Sequence, residues 1–163
     1  EVDALHLRDD AAQRLGVLDA RLVRRLKEAA DGPEKEGPRA ARWVEDALIV
    51  SNTTLQRPSH LTSDNREEQG GLSGQPLFQI STHTLRLFAG ALNGRLPLIG
   101  VGGIENGLTA LAKIKAGASA VQFYSAMVFQ GPGLVARILD ELDGLLMAEG
   151  FDHVSEAVGV ERA

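Results

Sequence analysis

Three short stretches of this chain combine residue types and spacing that can do chemistry. Leu98-Ile99-Gly100-Val101-Gly102-Gly103-Ile104 and Ala118-Ser119-Ala120-Val121-Gln122-Phe123-Tyr124-Ser125 each read as a buried strand running into a polar turn. Glycines let an anion approach backbone N–H groups, and a following helix N-terminus adds positive potential. In a (β/α)8 barrel the loops after the last two strands commonly hold a phosphate, so the pair reads as a two-loop phosphate clamp. Ser51-Asn52-Thr53-Thr54 ends a third apolar run. An asparagine there offers an acceptor and two donors, which suits a planar carboxylate or amide ligand. The same residues also favour a plain turn through local hydrogen bonds, and both readings stand. Gly70-Gly71-Leu72-Ser73-Gly74 could let a ligand ring approach the backbone or could form a flexible surface turn. Gly100-Val101-Gly102-Gly103 is not the dinucleotide fingerprint, because Glu105 stands where its last glycine belongs.

The elements that must position these residues follow from hydrophobic periodicity. A helix is expected over 9–30 from Leu15, Leu18, Leu22, Val23 and Leu26, then a breaker-rich linker over 31–38 and a short helix over 39–46. A strand is expected over 47–51 and a long polar loop over 52–76, a length that is more often functional than not. Next come a helix over 82–92 and a strand over 97–101. Asn106 is the expected cap of a helix ending near Gly117, a glycine suited to a left-handed C-terminal cap. A strand over 120–124 and a helix striped by Leu134, Val135, Ile138, Leu139, Leu142, Leu145 and Leu146, closed by Gly150, complete the order. Strands alternating with helices predict right-handed βαβ units and a parallel sheet. Three strands are fewer than half a barrel, and a sheet this small leaves bare edges that favour self-association.

Composition excludes several classes. The chain has 163 residues, a length that suggests one domain, and a hydrophobic content of 44% that fits a globular protein. A complete (β/α)8 barrel needs about 250 residues. The net charge of −5, without a basic cluster interleaved with aromatics, argues against nucleic acid as a partner. Without cysteine there is neither a disulfide frame nor a thiolate metal site. His6, His60, His83 and His153 lack metal-ligand spacing, so no metal is expected. No nucleophile-elbow motif supports a Ser-His-Asp triad. No uncharged apolar run reaches the roughly 18 residues of a membrane span. The N-terminus lacks the basic stretch and apolar core of a signal peptide, and its Glu1 in place of methionine fits a truncated or processed chain.

Four segments in register then carry a resemblance. Asp46 to Thr54, Gly70 to Leu77, Ile99 to Ile104 and Lys113 to Ser125, with Gly131-Pro132 and Glu149-Gly150-Phe151 behind them, resemble the C-terminal half of the class 2, quinone-using dihydroorotate dehydrogenases. The resemblance runs from about residue 46 to the C-terminus, and divides the chain into a poorly matching helical segment, 1–45, and half of an FMN-binding barrel, 46–163. It implies an α/β fold, a partial (β/α)8 barrel, and FMN as cofactor. It implies that Ser51 and Gly74 contact FMN, and that Gly103 with the Tyr124-Ser125 backbone holds its phosphate. Asn52 and Thr53 would bind dihydroorotate or orotate. The activity implied is oxidation of dihydroorotate to orotate in pyrimidine synthesis, with a quinone as acceptor and the protein peripheral on an inner membrane.

Departures from the family shape the expectation. Its catalytic serine lies in the first half of the barrel, and no segment here matches its surroundings, so no catalytic residue is assigned. The N-terminal quinone-tunnel helices have no counterpart. A family strand ending in Lys-Ile-Ala-Pro-Asp, whose lysine contacts FMN, is replaced by residues 31–41, and neither Lys27 nor Lys35 takes its role. The chain is therefore expected to be a C-terminal fragment or internally deleted version, inactive alone. The alternative is a non-catalytic half-barrel that binds FMN or a phosphate weakly or pairs with another chain. Another phosphate-binding barrel enzyme would explain the glycine loops but not Ser51–Thr54 and Gly70–Gly74 in register.

Overall fold

A computed structural model describes residues 47–162. The helices expected over 9–30 and 39–46, and the linker between them, lie outside the described residues. Three parallel strands form one sheet in the order β1 (Leu48–Val50), β2 (Leu98–Val101), β3 (Ala120–Gln122). Leu48 lies opposite Leu98, and Ile99 opposite Ala120. Between and after them come α1 (Phe78–Leu92), α2 (Gly107–Lys115), α3 (Ser125–Gln130), α4 (Leu134–Ala148) and α5 (Val154–Ala157). The arrangement is α/β with parallel strands, as the alternation of periodicities predicts.

The helices pack onto the sheet where side chains are small. A Cβ on Gly100 of β2 would stand 3.1 Å from both Ala118 Cβ and Leu85 Cδ2. That closeness lets α1 press Leu85, Phe88, Ala89 and Leu92 against Val50 and Leu98, the largest core cluster. On α2, Ala110 packs with Ile104, Leu134 and Ile138, while Leu111 and Ile114 pack with Leu146 and Ala157. α2 is thus clamped between sheet, α4 and α5.

Local signals set the ends of α2. Asn106 Oδ1 accepts from Thr109 N at 2.9 Å, and Asn106 N donates to Thr109 Oγ1 at 3.1 Å, a reciprocal cap. Gly107 N donates to Glu141 Oε2 at 2.6 Å, so α4 supplies a carboxylate to the same positive end. At the other end Gly117 takes φ +119°, with Gly117 N donating to Ile114 O and Ala118 N to Lys113 O. Asn106→Ala is expected to lower stability by about 1 kcal/mol, the cost of one lost cap, with Glu141 still serving the terminus. Urea denaturation of the full chain measures it, and an unchanged midpoint would show that Glu141 alone suffices.

Four elements differ from the expectation: β3 ends at Gln122 instead of 124, α5 follows Gly150 where no helix is expected, and α1 and α3 depart as follows. α1 begins at Phe78, a turn before Thr82, because Gln75–Leu77 form a 3-10 turn with Pro76 pre-set for helix entry. Its first turns bury Ser81, Thr82 and Thr84, so the inward face is polar there and hydrophobic periodicity does not reveal it. The two threonine hydroxyls are satisfied by the helix itself: Thr82 donates to Phe78 O at 2.6 Å and Thr84 to Ile80 O at 2.9 Å. α3 has no expected counterpart because it spans six residues, too few for a helical stripe, with Ala126 and Met127 turned to the core and Val128 and Phe129 exposed.

Candidate functional site

The C-terminal ends of β1, β2 and β3 open onto one cleft of about 580 Å³. In parallel α/β folds this edge carries the ligand, because all strand ends and helix N-termini converge there. Each expected site residue lines it. Ser51, Asn52 and Thr53 follow β1, Gly103 follows β2, Tyr124 and Ser125 follow β3, and Gly74 comes from the long loop. The volume suits a cofactor-sized ligand.

The loop over 52–74 is pinned rather than free. Thr54 and Leu72 pair as an antiparallel bridge, with Leu72 N donating to Thr54 O at 2.7 Å and Thr54 N to Leu72 O at 3.1 Å. Gly71 lies so close to the Thr53 side chain that no Cβ would fit. Arg57 ties the span between them: Nε donates to Arg66 O, and Nη2 to Glu68 O and Gly70 O, each at 2.8 Å. The same guanidinium reaches Leu55 O at 3.2 Å. The result returns the chain to the cleft, where the Ser73 and Ser125 hydroxyls lie 3.1 Å apart. Asn52 Oδ1 accepts from Thr53 N at 2.7 Å, a local bond of the kind the turn reading expects, and Asn52 also lines the cleft. The Asn52 amide NH2 remains to donate.

The turn after β2 requires glycine twice. Gly102 has φ +96° and Gly103 φ +74°. A Cβ on Gly103 would fall 2.5 Å from Phe78 Cβ and 2.7 Å from Phe78 N, the first residue of α1. Leu77 and Phe78 cover the turn on one side and Gly103 is buried, yet both glycines line the cleft, so it is backbone that faces a ligand there. Gly103 N makes no main-chain hydrogen bond among the described residues. After β3, Tyr124 precedes α3, and the N–H groups of Ser125 and Ala126 have no helical acceptor.

Charge is sparse in the cleft. Among the described residues, Glu105 is the one carboxylate that lines it, and no histidine does. No cluster of histidine and acidic groups suited to a metal occurs among the described residues. Behind the glycine turn lies Lys113, wholly buried, with Nζ donating to Ser81 Oγ at 2.6 Å and Val101 O at 3.3 Å. Burial, reinforced by the nearby Arg86 guanidinium, pushes its ammonium down to about 7. Sequence reasoning missed Lys113 and Ser81, although Lys113 sits three residues after the buried Ala110 and so shares its face. Arg57 carries no sequence signal of its role.

A family profile described as "Dihydroorotate dehydrogenase" matches residues 40–146. The chain belongs to the dihydroorotate dehydrogenase family. Among curated relatives, the dihydroorotate dehydrogenase (quinone) of Xanthobacter autotrophicus is 53% identical over 116 residues, covering 71% of this chain and 32% of that protein. The mitochondrial dihydroorotate dehydrogenase (quinone) of Mus musculus is 50% identical over 71% of this chain and 29% of its own length. Among solved structures, DHODH from Eimeria tenella in complex with ferulenol superposes with a TM-score of 0.69 at 45% identity, covering 71% of this chain and 31% of that one. The chain spans about a third of the length of the relatives it matches. As a dihydroorotate dehydrogenase segment, its three strands are part of the family's (β/α)8 barrel, the fold class that the sequence predicts.

Proposed function

We propose that this segment forms the phosphate and substrate side of an FMN-dependent, quinone-linked dihydroorotate dehydrogenase site. The observation that carries it is the convergence on one cleft of all seven residues that the family resemblance marks. The residues fit a flavin phosphate: Gly103 has an unengaged N–H at a turn that no Cβ could enter, and the start of α3 offers two more. Gly74, at φ +76° with only Ser125 Cβ near its Cβ position, lets a ring approach the backbone beside Ser51. Asn52 donates its amide to a ligand carbonyl or carboxylate, and Thr53 supplies a hydroxyl next to it. FMN held by Ser51, Gly74, Gly103, Tyr124 and Ser125 would supply the hydride-accepting chemistry for oxidation of dihydroorotate, with a quinone as the final electron acceptor. The protein's own contribution here is binding and orientation.

No helix of the described residues is long and apolar enough to cross a membrane. Delivery of electrons to a quinone places the reading at a membrane surface. A second reading, binding without turnover, is favoured by a cleft with no histidine and a single carboxylate.

The first test is a visible absorption spectrum of the full chain after incubation with FMN and desalting. Retained flavin is expected, and a colourless protein would overturn the reading. With flavin retained, Asn52→Ala is expected to weaken orotate binding about tenfold, the scale of one lost hydrogen bond to a charged group. Unchanged orotate affinity would return the site to a different phosphate-binding barrel activity. Turnover with dihydroorotate and a soluble quinone analogue separates the catalytic reading from the second.

A further inference from the structure

Lys113 is buried completely, yet no carboxylate pairs with it among the described residues. Its neighbour Lys115 shows the ordinary alternative, with ion pairs at 2.9 Å to both Glu149 and Glu161. A buried ammonium without a counter-ion is costly, and the site is otherwise apolar enough for methionine. The Lys113 Nζ lies 5.3 Å from the centroid of the Phe78 ring and donates to Val101 O and Ser81 Oγ. Ser81 Oγ in turn lies 3.0 Å from Gly102 O and 3.1 Å from Phe78 O. The last carbonyl of β2 and the first of the turn after it are therefore held from behind, by Lys113 Nζ and Ser81 Oγ. In a trans peptide the C=O and the following N–H point in opposite directions. Fixing Gly102 O toward Ser81 thus turns the Gly103 N–H away from Ser81, and Gly103, unlike Ser81 and Lys113, lines the cleft.

We infer that Lys113, acting through Ser81, is a positioning residue for anion binding at the Gly102-Gly103 turn, and that a ligand phosphate supplies the counter-charge this lysine lacks. The inference rests on the phosphate reading of the cleft. Burial and Arg86 have already weakened the hold of Lys113 on its proton, so an arriving anion strengthens the charged form. A role in packing alone would serve any flavin; a role in phosphate binding separates FMN from riboflavin.

The test is fluorescence titration of the full chain with FMN and with riboflavin, with inorganic phosphate as competitor. The unaltered chain is expected to prefer FMN. Lys113→Met is expected to weaken FMN binding by about ten- to a hundredfold, the scale of one screened charge interaction, and to leave riboflavin binding unchanged. An FMN-to-riboflavin ratio preserved in Lys113→Met overturns the inference, and so does an equal loss of both ligands. Ser81→Ala keeps the ammonium but breaks its link to Gly102, and is expected to lower the same ratio. It decides the matter if Lys113→Met does not fold. Failure of the phosphate reading itself is distinct: the unaltered chain then binds FMN no better than riboflavin, and inorganic phosphate does not compete.

Discussion

Gly103→Ala is expected to abolish FMN retention and to destabilise the chain by roughly 2–5 kcal/mol. Two effects add. The backbone at φ +74° costs an L-residue about 1–2 kcal/mol. The new methyl would also stand 2.5 Å from Phe78 Cβ, 2.6 Å from Phe78 Cα and 2.7 Å from Phe78 N. These are atoms of the first residue of α1, not the tip of a flexible side chain, so relief requires the helix to shift. Overpacking of this kind costs about 1–3 kcal/mol. Any shift of α1 also moves Ser81 and the turn it holds. Gly150→Ala is the control: φ is +81° there, and nothing lies within 4 Å of the Cβ position. It should show the backbone cost alone, with flavin binding intact. Urea denaturation and the absorption spectrum after desalting read both effects, and equal behaviour of the two variants would refute the argument.

The second large effect is a rise in stability with pH across the neutral and alkaline range. Lys113 titrates near 10.5 when unfolded and about 7 when folded. Between those values the unfolded chain binds the extra proton, so the penalty for burying the ammonium, fully present below about pH 7, fades as pH climbs. The full span is on the order of a few kcal/mol. Other groups act at the margins. Lys115 is raised, chiefly by hydrogen bonds to Glu161 and Glu149, and its contribution is lost only as pH rises past its own elevated value. Glu161 is lowered, chiefly by its hydrogen bond to Lys115, and its contribution is lost in acid. Lys113→Met should therefore be more stable than the unaltered chain at neutral pH and should flatten the slope. Denaturation midpoints from pH near 6 to near 10 measure it; a flat profile in the unaltered chain would show that Lys113 is not desolvated.

What the sequence reveals here is what local chemistry encodes. The Asn106 cap, the Gly117 and Gly150 helix ends and the three strands each depend on residues within about six positions of one another, and each occurs where expected. A parallel sheet collects the strand-end residues Ser51, Gly103 and Tyr124 on one edge, while the roles expected of the seven cleft residues, Gly74 included, rest on the family resemblance. The rest depends on contacts that span the chain. Lys113 and Lys115 look alike in sequence, but one packs beneath the glycine turn and the other reaches two carboxylates at the surface. The start of α1 hides because Ser81, Thr82 and Thr84 bury hydroxyls instead of methyls. α3 hides because its six residues are too few to show a helical period.

The guanidinium of Arg57 has a consequence for how the substrate side of the cleft moves. Its acceptors are carbonyls of Thr54, Leu55, Gln56, Arg66, Glu68 and Gly70, and the bridge at Thr54 and Leu72 closes the same span. A coil held at many independent points frays from its tip, one residue at a time. A coil gathered on one side chain has a single latch, so its segments release together or not at all. Arg57→Ala is therefore expected to loosen residues 55–70 as a unit while the Thr54–Leu72 bridge still ties their ends, so that amide exchange rises together across the span.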